Sequence, residues 1–168
     1  MMRLTVVRHA KSAWKDRSLP DHARPLNRRG RDDAPRMASW LRATGVQPDW
    51  AWVSTARRTR ETAAVLLDAV GLPEHLQLFD GRLYLADAGC LLDVLRETPT
   101  DRTWVMLIGH NPGVTELVNL LAGTTVHDDL PTLAIVSFEL ACEEWVELGA
   151  GSGRMRGSMS PKRLPASD

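Results

Sequence analysis

Two histidines and several arginines fall directly after apolar runs in this 168-residue chain. Leu4-Thr-Val-Val7 is followed at once by Arg8 and His9, and Trp104-Val-Met-Leu-Ile108 by Gly109-His110-Asn111-Pro112-Gly113. Between them, Trp50-Ala-Trp-Val53 leads into Ser54-Thr-Ala-Arg-Arg-Thr-Arg60. Charge at the end of a core strand is costly unless it has partners or a task. One task suits Arg8, His9, Arg58 and His110 together. A neutral imidazole is a nucleophile, and neighbouring guanidiniums keep it neutral by disfavouring the imidazolium. The same guanidiniums match the oxygens of a phosphoryl group, whose transfer asks a protein mainly for positioning and positive charge. These residue types therefore point to phosphoryl transfer through a histidine, a chemistry that calls for no metal ion. A zinc site is the weaker reading, since no third His or Cys stands nearby at ligand spacing.

Those residues meet only if the runs that carry them lie side by side. Leu4–Val7, Trp50–Val53 and Trp104–Ile108 read as buried strands, with a further short strand at Leu76–Phe79. Helical patterns fall between them. Arg31–Ala43 has apolar Met37, Ala38, Trp40 and Leu41, with Asn27 and Asp32 or Asp33 as candidate caps, Pro35 near its start and Gly45 as its stop. Arg57–Val70 ends at Gly71 and Pro73; Gly89–Arg96 puts Leu91, Leu92 and Leu95 on one face; Val114–Leu121 is the last helix. This alternation predicts an α/β fold, three-layer α/β/α with a mostly parallel sheet, in which ligands sit beyond the carboxyl ends of the strands. Ile135–Leu140 and Trp145–Leu148 read as an antiparallel edge closing around Cys142–Glu144. Residues 1–150 then form one domain. Residues 151–168 form a Gly/Ser-rich tail, flexible by composition, whose four basic residues leave room for a minor role near the substrate.

The second strand end is odd on local grounds. Ser54 or Thr55 is a good N-cap, yet the first helical turn carries Arg57, Arg58 and Arg60, which oppose the helix dipole. A bound anion removes the conflict; pairing with solvent, Glu61 or Asp68 is the alternative. At the third strand end, Asn111 suits an N-cap and Pro112 the first helical position, which leaves His110 at the junction.

Net charge is zero, but residues 1–60 hold 14 Lys/Arg against 5 Asp/Glu, and residues 61–168 hold 7 against 16. Such asymmetry fits either an anionic ligand handled by the first third of the chain or two halves that neutralise each other. Nothing marks a nucleic-acid partner. No apolar run approaches the ~20 residues that span a bilayer, and no secretory signal pattern opens the chain. Two isolated cysteines, Cys90 and Cys142, fit a reducing cytoplasm better than a disulfide framework.

The stretch VVRHAKSAW resembles the N-terminal Arg-His block of the histidine phosphatase, or phosphoglycerate mutase-like, superfamily. Its RHAKS form, with Ala for the more usual Gly, is similar to the small SixA-type phosphohistidine phosphatase branch. RPLNRRGRDDA, STARRTRETA and LIGHNPGV resemble further blocks of that branch in the same order, so the likeness runs from residue 4 to about 122. The resemblance implies a phosphoglycerate mutase-like fold and no cofactor. It implies that His9 is the transiently phosphorylated nucleophile and that Arg8 and Arg58 bind phosphoryl oxygens. His110 would complete the pocket and Asn111 would help hold it. Arg58 is chosen over Arg57 because it is the fourth residue after Ser54.

One departure bears on substrate. Superfamily members that act on phosphate esters usually carry a Glu general acid after the second helix, and residues 75–96 contain none. An alkoxide wants a proton as it leaves, whereas the imidazole of a phosphohistidine leaves more easily. The resemblance thus implies hydrolysis of phosphohistidine on a phosphotransfer or phosphocarrier protein, with inorganic phosphate as product. Asp80 is the candidate substitute acid. The alternatives are a small-molecule phosphomonoesterase on the same scaffold and a phosphate-binding regulatory module without turnover. Trp14 is a candidate for the mouth of the site, and Arg24, Arg28 and Arg31 for a basic rim. His22, His75 and His127 read as loop surface, and Trp40, Trp50, Trp52 and Trp104 as packing.

Overall fold

The computed structural model describes residues 1–166. Six strands form one sheet: β1 (Met2–Arg8), β2 (Trp50–Ser54), β3 (Gln77–Asp80), β4 (Trp104–Gly109), β5 (Ile135–Leu140) and β6 (Gly153–Met159), in the order β3-β2-β4-β1-β5-β6. β1, β2, β3 and β4 run parallel to their neighbours, and β5 runs antiparallel to both β1 and β6. Four helices connect them: α1 (Arg28–Ala43), α2 (Arg57–Ala69), α3 (Ala88–Arg96) and α4 (Gly113–Ala122).

The alternating residues of the central strands serve two cores. Leu4 and Val6 of β1, with Val105 and Leu107 of β4, pack against Leu91 and Leu95 of α3 and Leu117 and Leu121 of α4. Val7, Met106 and Ile108 face the other way, against Met37 and Leu41 of α1 and Leu66 and Leu67 of α2. Both faces are covered, so β1 and β4 read as continuous apolar runs rather than alternating ones. The three-layer expectation is met, and register brings Arg8 of β1 opposite Gly109 of β4. The residues that follow the two strands therefore emerge side by side.

Several details differ from the sequence reading. α1 starts at Arg28, one turn earlier than expected, because Asn27 caps it by accepting from Gly30 N–H at 2.9 Å; Pro35 consequently lies two turns in, on the exposed side. α2 is capped by neither Ser54 nor Thr55: its N-cap is Ala56, which makes no side-chain cap bond. The expected strand at Trp145–Leu148 is a 3-10 turn, Trp145–Glu147, fixed by a capping box between Glu144 and Glu147. The partner of β5 is β6 instead, so Gly153–Met159, expected in a flexible tail, completes the sheet. Its residues are mostly exposed and include Arg154 and Arg156, a polar edge of the kind that resists further pairing and hides from a hydrophobic pattern search.

Gly30 sets the entrance to α1. A Cβ there would stand 2.2 Å from the Lys11 carbonyl oxygen. Only glycine lets the helix press on the loop that follows His9, a loop also held by Asn27 N–H donating to that carbonyl at 2.9 Å.

Candidate active site

His9 leaves the end of β1 and is buried. Its Nδ1 lies 2.7 Å from the Ala10 carbonyl oxygen, which can only accept. Nδ1 therefore carries the proton, and Nε2 keeps its lone pair. The Ala10 N–H donates to Thr62 Oγ1 at 3.0 Å, so α2 holds the peptide that orients the ring. Arg58, in the first turn of α2 and only 3% exposed, donates from Nε to His9 Nε2 at 3.3 Å. Arg8 donates from Nη1 to the Leu130 carbonyl at 2.7 Å, while its Nε is buried with no partner among the described residues.

His110 follows β4, with its ring centroid 5.2 Å from that of His9. Its Nε2 lies 2.7 Å from Ser54 Oγ at the end of β2. The Ala56 N–H donates to the same oxygen at 3.4 Å. His110 Nδ1 is buried with no partner among the described residues, and a buried ring nitrogen of this kind calls for one. The assigned N-cap of α4 is Pro112, already helical in φ and ψ, and Asn111 caps the first turn as expected, its Oδ1 accepting from the Thr115 N–H at 3.3 Å and hydroxyl at 2.8 Å. Its Nδ2 donates to the Leu130 carbonyl and to Asp129, both at 2.9 Å, tying the start of α4 to the loop that anchors Arg8.

Arg8, His9, Arg58, His110 and Asn111 line one cavity of about 330 Å³. Its electrostatics favour neutral imidazoles. Burial, reinforced by the charges of Arg58, Arg8 and Arg24, pushes the His9 pKa down to about 4. Burial, together with His9 and Arg58, pushes His110 down to about 3.

The profile of the histidine phosphatase superfamily (branch 1) matches residues 4–78. An uncharacterised chloroplastic protein of Arabidopsis thaliana is 32% identical over 95% of this chain and 78% of its own length. The chain belongs to the histidine phosphatase superfamily. An uncharacterised protein of Mycobacterium tuberculosis strain H37Rv is 29% identical over 93% of this chain and all of its own length. Among solved structures, the protein histidine phosphatase SixA in complex with tungstate superposes with a TM-score of 0.82 at 28% identity, covering 98% of this chain and 100% of that one. The phosphoglycerate mutase-like fold follows.

This superfamily member has cavity residues that sequence reasoning missed. Asp21 sits in a 3-10 turn, Asp21–Ala23. Its Oδ2 accepts from Arg58 Nη2 at 3.0 Å and from the Tyr84 hydroxyl, and its Oδ1 accepts from Arg24 Nε at 3.1 Å. Its carbonyl accepts from Arg58 Nη1 at 2.8 Å. Burial alone raises the Asp21 pKa, but the Tyr84 and Arg58 hydrogen bonds outweigh it and bring it to about 2. Tyr84 also packs edge-on to His110, with centroids 5.5 Å apart.

Arg24 belongs to the cavity itself rather than to an outer rim. It is buried, it donates to the Ala13 carbonyl at 3.1 Å, and its guanidinium carbon lies 3.4 Å from the centroid of the Trp14 ring. Trp14, 73% exposed, stands at the mouth with Leu85. Arg28 and Arg31 instead line an adjoining groove with Trp14 and Lys15. His22 is exposed, as expected, yet it flanks the site: its Nε2 lies 2.9 Å from Thr55 Oγ1 and its ring meets Tyr84 edge-on at 4.8 Å. His75 and His127 lie outside the cavity.

Asp80 does not line the cavity. Arg82 donates to it from Nη2 at 2.8 Å and from its backbone N–H at 2.8 Å, and Arg82 is bound in turn to Glu97. Those bonds hold the Asp80 carboxyl below the usual carboxylate range, and its place outside the cavity removes it as a proton donor for this site.

Proposed function

We propose that this phosphatase hydrolyses phosphohistidine on a protein, through a phosphohistidine formed on His9. The observation that carries the reading is the disposition of His9: Nδ1–H committed to a carbonyl, Nε2 unprotonated with only a long 3.3 Å bond from Arg58 Nε on its lone pair, and Arg8, Arg24, Arg58 and His110 around it. The phosphoryl group enters against the guanidiniums, whose donors take its oxygens as charge develops. His9 Nε2 attacks phosphorus, and the bond to the departing imidazole breaks with its electron pair returning to that nitrogen. Water then attacks the phosphorus on His9. The P–Nε2 bond breaks, and inorganic phosphate leaves. The arginines supply the positive charge that the transfer needs.

Two features support a protein-borne substrate. The mouth is open, with Trp14 and Leu85 exposed beside the cavity and a basic groove of Lys15, Arg28 and Arg31 alongside, so a bulky carrier can approach. One of the solved structures with a matching fold is a protein histidine phosphatase bound to tungstate, a tetrahedral oxyanion like phosphate. The second reading, a small-molecule phosphomonoesterase, draws on Asp21, a carboxylate in the cavity.

The deciding experiment compares kcat/KM on a phosphohistidine protein, on free phosphohistidine and on a panel of phosphate esters. The phosphohistidine protein is expected to lead. Faster turnover of sugar phosphates or nucleotides would favour the second reading. No release of an aryl alcohol from a chromogenic phosphate, with His9→Ala indistinguishable from wild type, would leave only a binding module.

A further inference from the structure

A group leaving phosphorus takes an electron pair and, unless it is already a good leaving group, needs a proton at that moment. Among the residues that line the cavity, Asp21 is the only carboxylic acid. Arg58 lies at the floor, 3% exposed, whereas the Asp21 side chain is 41% exposed. Asp21 thus stands on the side toward solvent, beside exposed Trp14 and Leu85. A substrate that presents its phosphoryl group to His9 has its remainder on that same side, because a 330 Å³ cavity cannot enclose a protein.

We propose that Asp21 is the proton-transfer residue of this site, resting on the reading of the cavity as a phosphatase centre. The carboxylate is now held by Arg58 Nη2, Arg24 Nε and the Tyr84 hydroxyl. A phosphoryl group in the cavity competes for the guanidinium donors and sets its own negative charge against the carboxylate. Both changes raise the proton affinity of Asp21. The proton comes with the substrate, since a phosphoryl monoanion, with a second pKa near 6, carries one.

In the first step P–Nε2 of His9 forms, the bond from phosphorus to the leaving oxygen breaks, and that oxygen takes the electron pair and the Asp21 proton. In the second step water bonds to phosphorus, P–Nε2 breaks with its pair returning to His9, and a water proton returns to Asp21. Inorganic phosphate and the protonated leaving group are the products. For a phosphohistidine substrate the demand is smaller, because a ring nitrogen takes a proton from solvent near neutral pH.

The test is the leaving-group dependence of kcat/KM for Asp21→Asn, on aryl phosphates running from 2,4-dinitrophenyl to phenyl and on an alkyl phosphate. The 2,4-dinitrophenyl ester is expected to be little affected. The loss is expected to grow along the series to about 10²–10⁴-fold for the poorest leaving groups. An equal loss across the series would overturn the proposal and make Asp21 a positioning residue for Arg58. No loss anywhere would also overturn it. If Asp21→Asn does not fold, Asp21→Glu carries the same test, with a smaller loss expected that still grows with leaving-group pKa; a loss of constant size refutes it. Wild-type turnover of the dinitrophenyl ester, abolished in His9→Ala, tests the phosphatase reading separately.

Discussion

Keeping His9 and His110 neutral has a measurable cost at mildly acidic pH. Burial and nearby arginines depress the two folded-state pKa values to about 4 and about 3, whereas in an unfolded chain each ring titrates near 6.5. As pH falls below 6.5 the unfolded chain takes up two protons that the folded chain refuses, so stability drops. The slope approaches about 1.4 kcal/mol per pH unit for each ring. Between pH 7.5 and pH 5 the pair therefore removes about 4 kcal/mol, a large part of the 5–15 kcal/mol typical of a domain. The loss levels off only near pH 4 and pH 3, where the folded rings protonate in turn. Asp21, at about 2 in the folded state, adds its own loss further down, as pH falls from its unfolded value through 2. Urea unfolding followed by tryptophan fluorescence, in phosphate-free buffers at half-unit steps, measures the slope. His9→Asn and His110→Asn should each remove about half of it. A stability that stays flat across this window, or a slope that survives in both variants, would refute the claim that these rings are buried and uncharged.

Three further outcomes follow from single contacts. Arg58→Ala deletes the donor to His9 Nε2 and two donors to Asp21; kcat/KM on an aryl phosphate is expected to fall by about 10²–10³-fold, which steady-state kinetics checks. Ser54→Ala leaves His110 Nε2 without its 2.7 Å partner in a buried setting and is expected to cost about 1–3 kcal/mol of stability, read from the urea midpoint. Gly30→Ala forces a methyl group against the Lys11 carbonyl and is expected to lose about 1–3 kcal/mol, with activity reduced because that loop leads directly from His9; thermal melting and aryl phosphate turnover report the two effects.

The architecture was legible wherever local pattern and tertiary role agree. Leu4–Val7 and Trp104–Ile108 are apolar on both faces, so they could only be interior strands of a covered sheet, and the polar residues that follow them had to emerge at one edge. Gly45 and Gly71 at φ +73° close α1 and α2 as a helix stop should. The rest was hidden for definite reasons. Asp21 reaches Arg58 across 37 residues and Tyr84 across 63, and neither separation leaves a periodic trace; a carboxylate between two arginine-bearing blocks is the one local hint. Ser54 looked like a cap because serine favours caps, but its hydroxyl serves His110, a residue 56 positions on. β6 escaped because Gly153–Met159 is exposed along most of its length, so pairing with β5, not burial, makes it a strand.

The position of β1 also governs the order in which the molecule can be assembled. The first strand of the chain lies between β4 and β5, so its two neighbours are residues 104–109 and 135–140. Contacts closed over such long loops form late and slowly. A nascent chain that has emerged only as far as residue 100 holds His9 and Arg58 but lacks the strand that joins β1 to β2. His9 is synthesised well before β4 and β5, and it waits for both strands before its surroundings are complete.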